Sequence, residues 1–225
     1  MTACILLALS AWLFNDVGGY NGAGNDMIHR GATAIALLLI AAPAQAQQIR
    51  EQTTYFIVGG ETLAELDAEF SQRGPLVGNT GARHMGATKV EFDGKVTYKP
   101  DGRRCRVDVT KLTLDLEVML PRWKPRKAAA ERTALLWRTI SRDIERHERE
   151  HADIAKTWLR KMENAIRGLG PEKDCDAMEA RVERTASIFL RKHEAAQLAF
   201  DAKESREIGM RLRRALRDDA RSASR

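Results

Sequence analysis

The feature that most constrains the fold is a helical pattern of apolar residues in the second half of the chain. Apolar side chains and histidines recur every three or four residues from Leu136 to Met162, which is the spacing of one face of an α-helix. A similar pattern spans Met178–Phe200, and Gly168-Leu169-Gly170-Pro171 separates the two with a stop-and-turn signal. The residues after Lys127 therefore predict a long antiparallel helix pair, with the second helix running from about Asp174 to Arg206.

The first of these helical patterns contains the pentapeptide His147-Glu148-Arg149-Glu150-His151. Positions i and i+4 share one face of a helix, so His147 and His151 can present two imidazoles to one metal ion. Glu148 follows the first histidine directly, close enough to hold and deprotonate a metal-activated water. The pattern is typical of zinc peptidases and predicts a Zn²⁺ site with His147 and His151 as ligands and Glu148 as the catalytic general base.

A catalytic zinc site usually has three protein ligands and one open position, so a third ligand is expected. If the two helices turn near residue 170, residues 190–194 of the second helix lie opposite the two motif histidines. His193 lies in that window on the apolar face, which makes it the preferred third ligand. Asp201, two turns further along, is the alternative ligand, with Glu194 as a further one. A core histidine is the competing interpretation of His193.

The first half of the chain predicts a small antiparallel β-sheet with one short helix. The predicted strands, rich in β-branched and aromatic residues, are 53–58, 88–92, 95–98 and 105–120. Thr62 is the expected N-cap of a helix over residues 63–72, and Asp93-Gly94 is a hairpin-turn signal. The alternation in the last strand slips near Thr110, which indicates a β-bulge. With the helix pair and its zincin-like motif, these elements predict the α+β class.

A secretory signal peptide is predicted to begin at Met27, which is then a possible true start of the chain. A short basic segment precedes an apolar run from Ala32 to Ala42, and Pro43-Ala44-Gln45-Ala46 ends in a small-x-small cleavage site. Cleavage after Ala46 leaves Gln47 as the first mature residue. The apolar run is short for a membrane span, so no stable span is expected after cleavage, with an N-terminal anchor as the alternative. The predicted location is periplasmic or secreted.

The 225 residues are predicted to form a leader (1–46), a single zincin-like protease domain (47–210) and a basic tail (211–225). Within the domain, residues 50–123 are β-rich and residues 128–206 helical. Much of the formal net charge of +6 comes from arginines near the end of the chain. This distribution favours a solvated helix face, and the alternative is weak binding of acidic envelope surfaces through the tail. Nucleic acid is not an expected partner, because aromatic residues do not alternate with the basic ones.

Removal of the leader takes Cys4 away and leaves two cysteines, Cys105 and Cys175. An even pair in an exported chain most simply forms one disulfide. The alternative is two unpaired buried thiols. Two cysteines this far apart do not make a zinc knuckle.

The order of several short segments resembles a bacterial family of predicted secreted zinc-dependent proteases, known chiefly as a domain of unknown function. The matching segments are Tyr55-Phe-Ile-Val-Gly59, Thr62, Glu65-Leu66, Gly74-Pro75, Ala87-Thr88, Cys105 with Val107 and Val109, Leu120-Pro121-x-Trp123, His147-Glu148-x-x-His151 with Asp153-Ile154-Ala155, and Gln197-x-x-Phe200-Asp201. The resemblance implies an exported zinc peptidase in which a small β-part precedes a helical active-site pair. It also implies metal ligation by His147 and His151, catalysis by Glu148, and a match of Asp201 to the family's Tyr-Asp segment.

The leading functional prediction is an exported zinc metallopeptidase that hydrolyses a peptide or protein substrate. The alternative is a catalytically inactive exported protein of the same fold that binds metal or a partner. One departure favours this alternative: the relatives tend to follow the aspartate with Thr and a His-Gly pair, whereas Asp201 is followed by Ala202-Lys203-Glu204-Ser205-Arg206-Glu207. A third hypothesis is a structural envelope protein whose basic helices bind acidic polymers or lipid surfaces.

Overall fold

The computed structural model describes residues 48–77, 82–125 and 131–223, and the predicted leader over residues 1–46 lies outside them. The described residues form three strands and three helices in a mixed α and β fold. In chain order the elements are β1 (Gln48–Val58), α1 (Leu63–Arg73), β2 (Ala87–Asp101), β3 (Arg104–Trp123), α2 (Glu131–Arg167) and α3 (Cys175–Ala223).

The sheet has the strand order β1-β3-β2, with β2 antiparallel and β1 parallel to the central strand β3. The prediction of a purely antiparallel sheet is therefore wrong for β1. Between β1 and β3 the chain forms α1 and then the whole of β2. A connection of that length can return β3 in the same direction as β1, whereas a short hairpin can only reverse the chain.

The prediction of two short strands joined at Asp93-Gly94 is also wrong, because β2 runs through these residues without a break. Asp93 pairs with Thr113 and Gly94 with Leu112 of β3. Gly94 lies against its partner strand, since an added Cβ would be 2.5 Å from Leu112 Cδ2. The hairpin turn lies instead at Gly102, whose φ of 65° is a left-handed conformation that glycine adopts without strain.

The central strand β3 supplies one face of the hydrophobic core. Alternate side chains from Leu112 to Leu120 are buried, as expected for a strand covered by helices on one side. The register between β2 and β3 shifts beside Asp108, so the predicted bulge lies within two residues of Thr110. Pro121 does not end the strand, which continues to Trp123, and the indole Nε1 of Trp123 donates a hydrogen bond to the Gly60 carbonyl at 2.9 Å.

The two long helices form the predicted antiparallel pair, and α2 packs against the sheet through buried residues such as Ala155 and Leu159. Thr62 caps α1 as predicted, because its hydroxyl accepts a hydrogen bond from the Glu65 backbone N–H. The segment predicted as a basic tail is helical as far as Ala223. In this segment Arg211 donates from Nε to Asp143 on α2 at 2.6 Å, so α3 remains attached to α2 well beyond Arg206.

The predicted disulfide between Cys105 and Cys175 is present and joins β3 to the start of α3. Next to it, Cys105 and Glu172 exchange two backbone hydrogen bonds of 2.9 and 2.8 Å. The connection between α2 and α3 is therefore held against the end of the sheet, and the position of α3 is determined from its first residue.

The disulfide is expected to stabilise the fold by about 4 kcal/mol, because it closes a loop of 70 residues in the unfolded chain. Replacing both cysteines by serine should lower the free energy of unfolding, measured in urea, by up to that amount. Reductant should destabilise the wild type to the level of the double variant and leave the variant unchanged. Equal stability of the oxidised wild type and the double variant would contradict this role.

Tyr98 reports on the packing of α3 over β2. Burial raises the pKa of its phenol to about 12, and the carboxylates of Glu179 and Glu183 on α3 add to the shift. The unfolded chain ionises this tyrosine near 10, so stability should fall as the pH rises from 10 toward 12. An absorbance titration should show an ionisation near pH 12 that Tyr98→Phe removes and Tyr55→Phe leaves in place. Its persistence in Tyr98→Phe would contradict the assignment.

Candidate metal centre

Helix α2 places both motif histidines on the face that is turned toward α3. His151 is 3% exposed, whereas the His147 side chain is about one-fifth exposed at the edge of the site. The ring of Phe200 on α3 packs against both imidazoles, with centroid distances of 5.0 Å to each. The helical spacing therefore brings the two rings together as predicted, and an aromatic side chain limits their rotation.

His147, His151 and Asp201 form a group that could hold a metal ion. The distance from His151 Nε2 is 3.1 Å both to His147 Nε2 and to Asp201 Oδ1, and the remaining distance between His147 Nε2 and Asp201 Oδ1 is 3.4 Å. Ligand atoms of a tetrahedral site with bonds of about 2.0–2.1 Å lie about 3.3–3.4 Å apart. The three atoms thus already have nearly the separations that one small cation requires.

The carboxylate of Asp201 is 6% exposed, and the imidazole nitrogens of His147 and His151 lie beside its Oδ1. Burial favours a raised pKa for this carboxyl, but the neighbouring His147 and His151 side chains outweigh burial and hold its pKa below the ordinary value. The group is therefore an anion in a buried site. Because a buried carboxylate is costly unless a positive charge lies beside it, this donor set fits a bound cation.

His193, the preferred third ligand, lies outside this group, and Asp201, the alternative, occupies the third position. His193 is fully buried, and burial together with the nearby His151 lowers its pKa to about 4, so its ring is neutral. The residues of α3 that were predicted to face His151 lie too near the start of that helix. His151 contacts Gln197, about two helical turns beyond the residues expected to face it. The connection is not a tight turn at residue 170, because Glu172 extends to pair with β3.

Glu148 lies beside the ligand group and is buried, with 6% exposure. The hydroxyl of Thr88, at the start of β2, lies 2.8 Å from the Glu148 backbone carbonyl and 2.9 Å from carboxylate Oε2. Burial raises the pKa of this carboxyl, although His151, His147 and the Thr88 hydroxyl each oppose the shift. Glu148 is therefore a buried carboxyl with a raised pKa beside the candidate ligand group.

Gly86 allows the chain to pass close to Glu148. A Cβ at this position would lie 2.7 Å from Ile144 Cγ2 and 3.0 Å from Glu148 Oε1. Any larger residue would crowd the carboxylate oxygen that Thr88 does not contact. The segment from Gly86 to Thr88 thus determines both where this carboxylate lies and how much space surrounds it.

Three residues that support the site were missed as functional in the sequence. Thr88 and Gln197 lie within segments that match the bacterial family, but no local pattern assigns them a partner. Glu204 lies three residues after Asp201 and shares its helix face, a spacing that could have indicated it. Its Oε2 is 3.6 Å from His147 Nδ1, and its carboxylate also pairs with Arg146 and with Arg211.

The fold and the site together define a mixed α and β protein with a candidate two-histidine, one-carboxylate metal centre between two long helices. The chain belongs to the family described as "Bacterial protein of unknown function (DUF922)", whose sequence profile matches residues 53–209. The matched range contains the whole candidate site. No curated protein and no solved structure matches the chain.

Asp201→Asn should abolish stoichiometric metal binding, because it removes the negative charge and one of the three ligand atoms while keeping the side-chain shape. The expected loss of affinity exceeds the 10–100-fold typical of losing only a supporting hydrogen bond. Titration with Zn²⁺ and elemental analysis measure it. Asp153→Asn, on an exposed position of α2, is the matched control and should bind like the wild type. An equal affinity in Asp201→Asn would exclude this ligand set.

Proposed function

We propose that the protein is an exported zinc metallopeptidase. The proposal rests on the convergence of His147 Nε2, His151 Nε2 and the buried Asp201 carboxylate on one point between α2 and α3. Glu148 lies on α2, the helix that also carries the two histidines. This arrangement unites three metal ligands and a candidate proton acceptor.

A zinc ion held by these three ligands would supply Lewis-acid activation of a water molecule and of the scissile carbonyl. Glu148 then accepts the proton of the attacking water and delivers it to the leaving amine. Thr88 fixes carboxylate Oε2, and Gly86 leaves space at Oε1, so Oε1 is the oxygen available for the proton. The raised pKa of Glu148 favours this exchange, because a carboxyl that both takes and returns a proton works best near the working pH.

Zinc is the metal of choice for this donor set when hydrolysis is the reaction. Two imidazoles and one carboxylate with an open fourth position are typical of hydrolytic zinc sites. The same donors also occur in non-haem iron oxygenases. The buried Glu148, held by Thr88 next to the ligand group, favours the hydrolytic alternative, since an oxygenase site has no need of such a base.

We propose a periplasmic or secreted location and a peptide or protein substrate. The disulfide between Cys105 and Cys175 supports export, because such bonds form and persist in oxidising compartments. The signal-peptide pattern that ends at Ala46 agrees with it. Of the helices in the described part of the chain, none combines the length and apolar character that crossing a bilayer requires.

Glu148→Gln should leave metal binding intact and lower kcat/KM on a peptide library by about 10²–10⁴-fold, the usual contribution of a general base. Glutamine keeps the size of the side chain and its contact with Thr88 but does not accept the proton. Glu150→Gln, at an exposed position of the same motif, is the matched control and should retain activity.

Two outcomes would contradict the peptidase proposal. Unchanged hydrolysis by Glu148→Gln would remove the general base from the mechanism. Stoichiometric zinc in the wild type without turnover of any library member would favour the alternative function, a non-catalytic exported metal-binding protein.

A further inference from the structure

Two polar side chains on α3, His193 and Gln197, are buried almost completely, with 1% and 2% exposure. Neither belongs to the candidate metal ligands. The His193 ring packs in a T-shaped contact with apolar Phe92 of β2, with the ring centroids 5.0 Å apart. Polar groups persist in such surroundings only when their hydrogen bonds are satisfied, so the partners of these two side chains indicate their role.

The amide of Gln197 connects His193 to the metal ligand His151. Its Nε2 lies 3.0 Å from the backbone carbonyl of His151 and 2.9 Å from His193 Nε2. Its Oε1 lies 2.6 Å from His151 Nδ1. The three contacts use both amide hydrogens as donors and the amide oxygen as an acceptor.

Only one orientation of this amide satisfies all of its neighbours. The His151 carbonyl can only accept, so it must face the amide nitrogen. If the amide were reversed, its oxygen would face that carbonyl, so this hydrogen bond would be lost and two acceptors would oppose each other in a buried site. With the amide nitrogen also donating to His193 Nε2, that ring nitrogen is an acceptor and the His193 proton resides on Nδ1.

The same orientation determines the tautomer of His151. Because Gln197 Oε1 is an acceptor, His151 Nδ1 must carry the proton and donate it across the 2.6 Å contact. In the neutral ring His151 Nε2 then keeps its lone pair for a metal ion, and this is the atom 3.1 Å from both His147 Nε2 and Asp201 Oδ1. Ligating histidines usually donate their other ring N–H to such a partner, which fixes the ring and increases its basicity.

We propose that Gln197 and His193 are positioning residues of the metal centre, in which a buried hydrogen-bond chain from His193 through Gln197 holds the His151 proton on Nδ1 and reserves Nε2 for the metal. This inference rests on the metal site of the proposed function. It assigns a role to a histidine that is neither ligand nor inert core. It also explains why residue 197 is an amide, since no carboxylate or apolar residue both donates twice and accepts once.

The support of the two ligands differs in kind. His151 is held by a neutral, fully buried amide, whereas His147 Nδ1 faces the Glu204 carboxylate, which two arginines share. Loss of the buried hydrogen-bond chain should therefore weaken metal binding through His151, whereas the charged cluster at His147 should remain unchanged.

The test measures zinc affinity and histidine tautomers in the folded full chain. Gln197→Leu should weaken zinc binding by about 10–100-fold. His193→Leu should weaken it in the same direction but less, because the His151 carbonyl still orients the amide. His193→Gln should restore wild-type affinity, because its side-chain oxygen can occupy the place of the ring Nε2 and accept the same hydrogen bond. Glu194→Gln, an exposed neighbour, is the matched control.

Nitrogen-15 NMR of the metal-free wild type provides a readout that packing alone does not produce. It should show His151 and His193 both with the proton on Nδ1. A His151 Nδ1 without a proton, or equal zinc affinities of His193→Leu and His193→Gln, would overturn the inference. The tautomer measurement needs neither metal nor peptide, so its outcome is separate from failure of the proposed peptidase activity.

Discussion

The register between α2 and α3 is the constraint on which the candidate site depends. Two of the candidate ligands lie on α2 and the third on α3, so the three ligand atoms meet only if the helices are aligned to within a residue. A shift of one residue would turn Asp201 by about 100° around α3, away from His147 and His151. The site is thus a property of helix packing rather than of the pentapeptide.

Three sets of contacts hold this register along the length of the pair. At one end the disulfide and the paired backbone of Cys105 and Glu172 attach the connection to the sheet. In the middle Gln197 bonds to both the ring and the backbone of His151. At the far end Arg211 bonds to Asp143. Each set consists of directional interactions, which specify alignment better than apolar contacts do.

The sheet contributes the third side of the site through the first residues of β2. Gly86 and Thr88 contact Glu148, so the candidate base is held by a different element from the one that carries the ligands. The two buried carboxyls of the site also have different electrostatic environments. Burial raises the pKa of Glu148, whereas the two histidines hold that of Asp201 low, so the two carboxyls differ although they belong to one site. Such a difference is what the proposed roles of the two carboxyls require, with Glu148 as the proton acceptor and Asp201 as the anionic ligand.

The features that sequence predicted well are those fixed by local spacing. Helix periodicity placed His147 and His151 on one face, Thr62 was identified as a cap, and the cysteine pair was matched correctly. The features that failed depend on contacts between distant segments. The Asp93-Gly94 turn signal is overridden because β2 has a continuous partner in β3, and no local pattern shows that β1 returns parallel to β3.

The choice of the third candidate ligand from sequence was limited in the same way. Periodicity identified both His193 and Asp201 as candidates, but the choice between them depended on the level at which the helices cross. That level is set by Glu172 pairing with β3, a long-range contact that the spacing of residues does not contain. Thr88 and Gln197 were likewise unassigned, because their partners are distant in sequence.

The candidate metal site is tested most directly by a crystal structure of the zinc-loaded protein with anomalous data collected on both sides of the zinc absorption edge. We expect one strong anomalous peak between α2 and α3, at about 2.0–2.1 Å from His147 Nε2, His151 Nε2 and an oxygen of Asp201. A peak elsewhere, or a zinc-soaked site with the two rings turned away from Asp201, would contradict it.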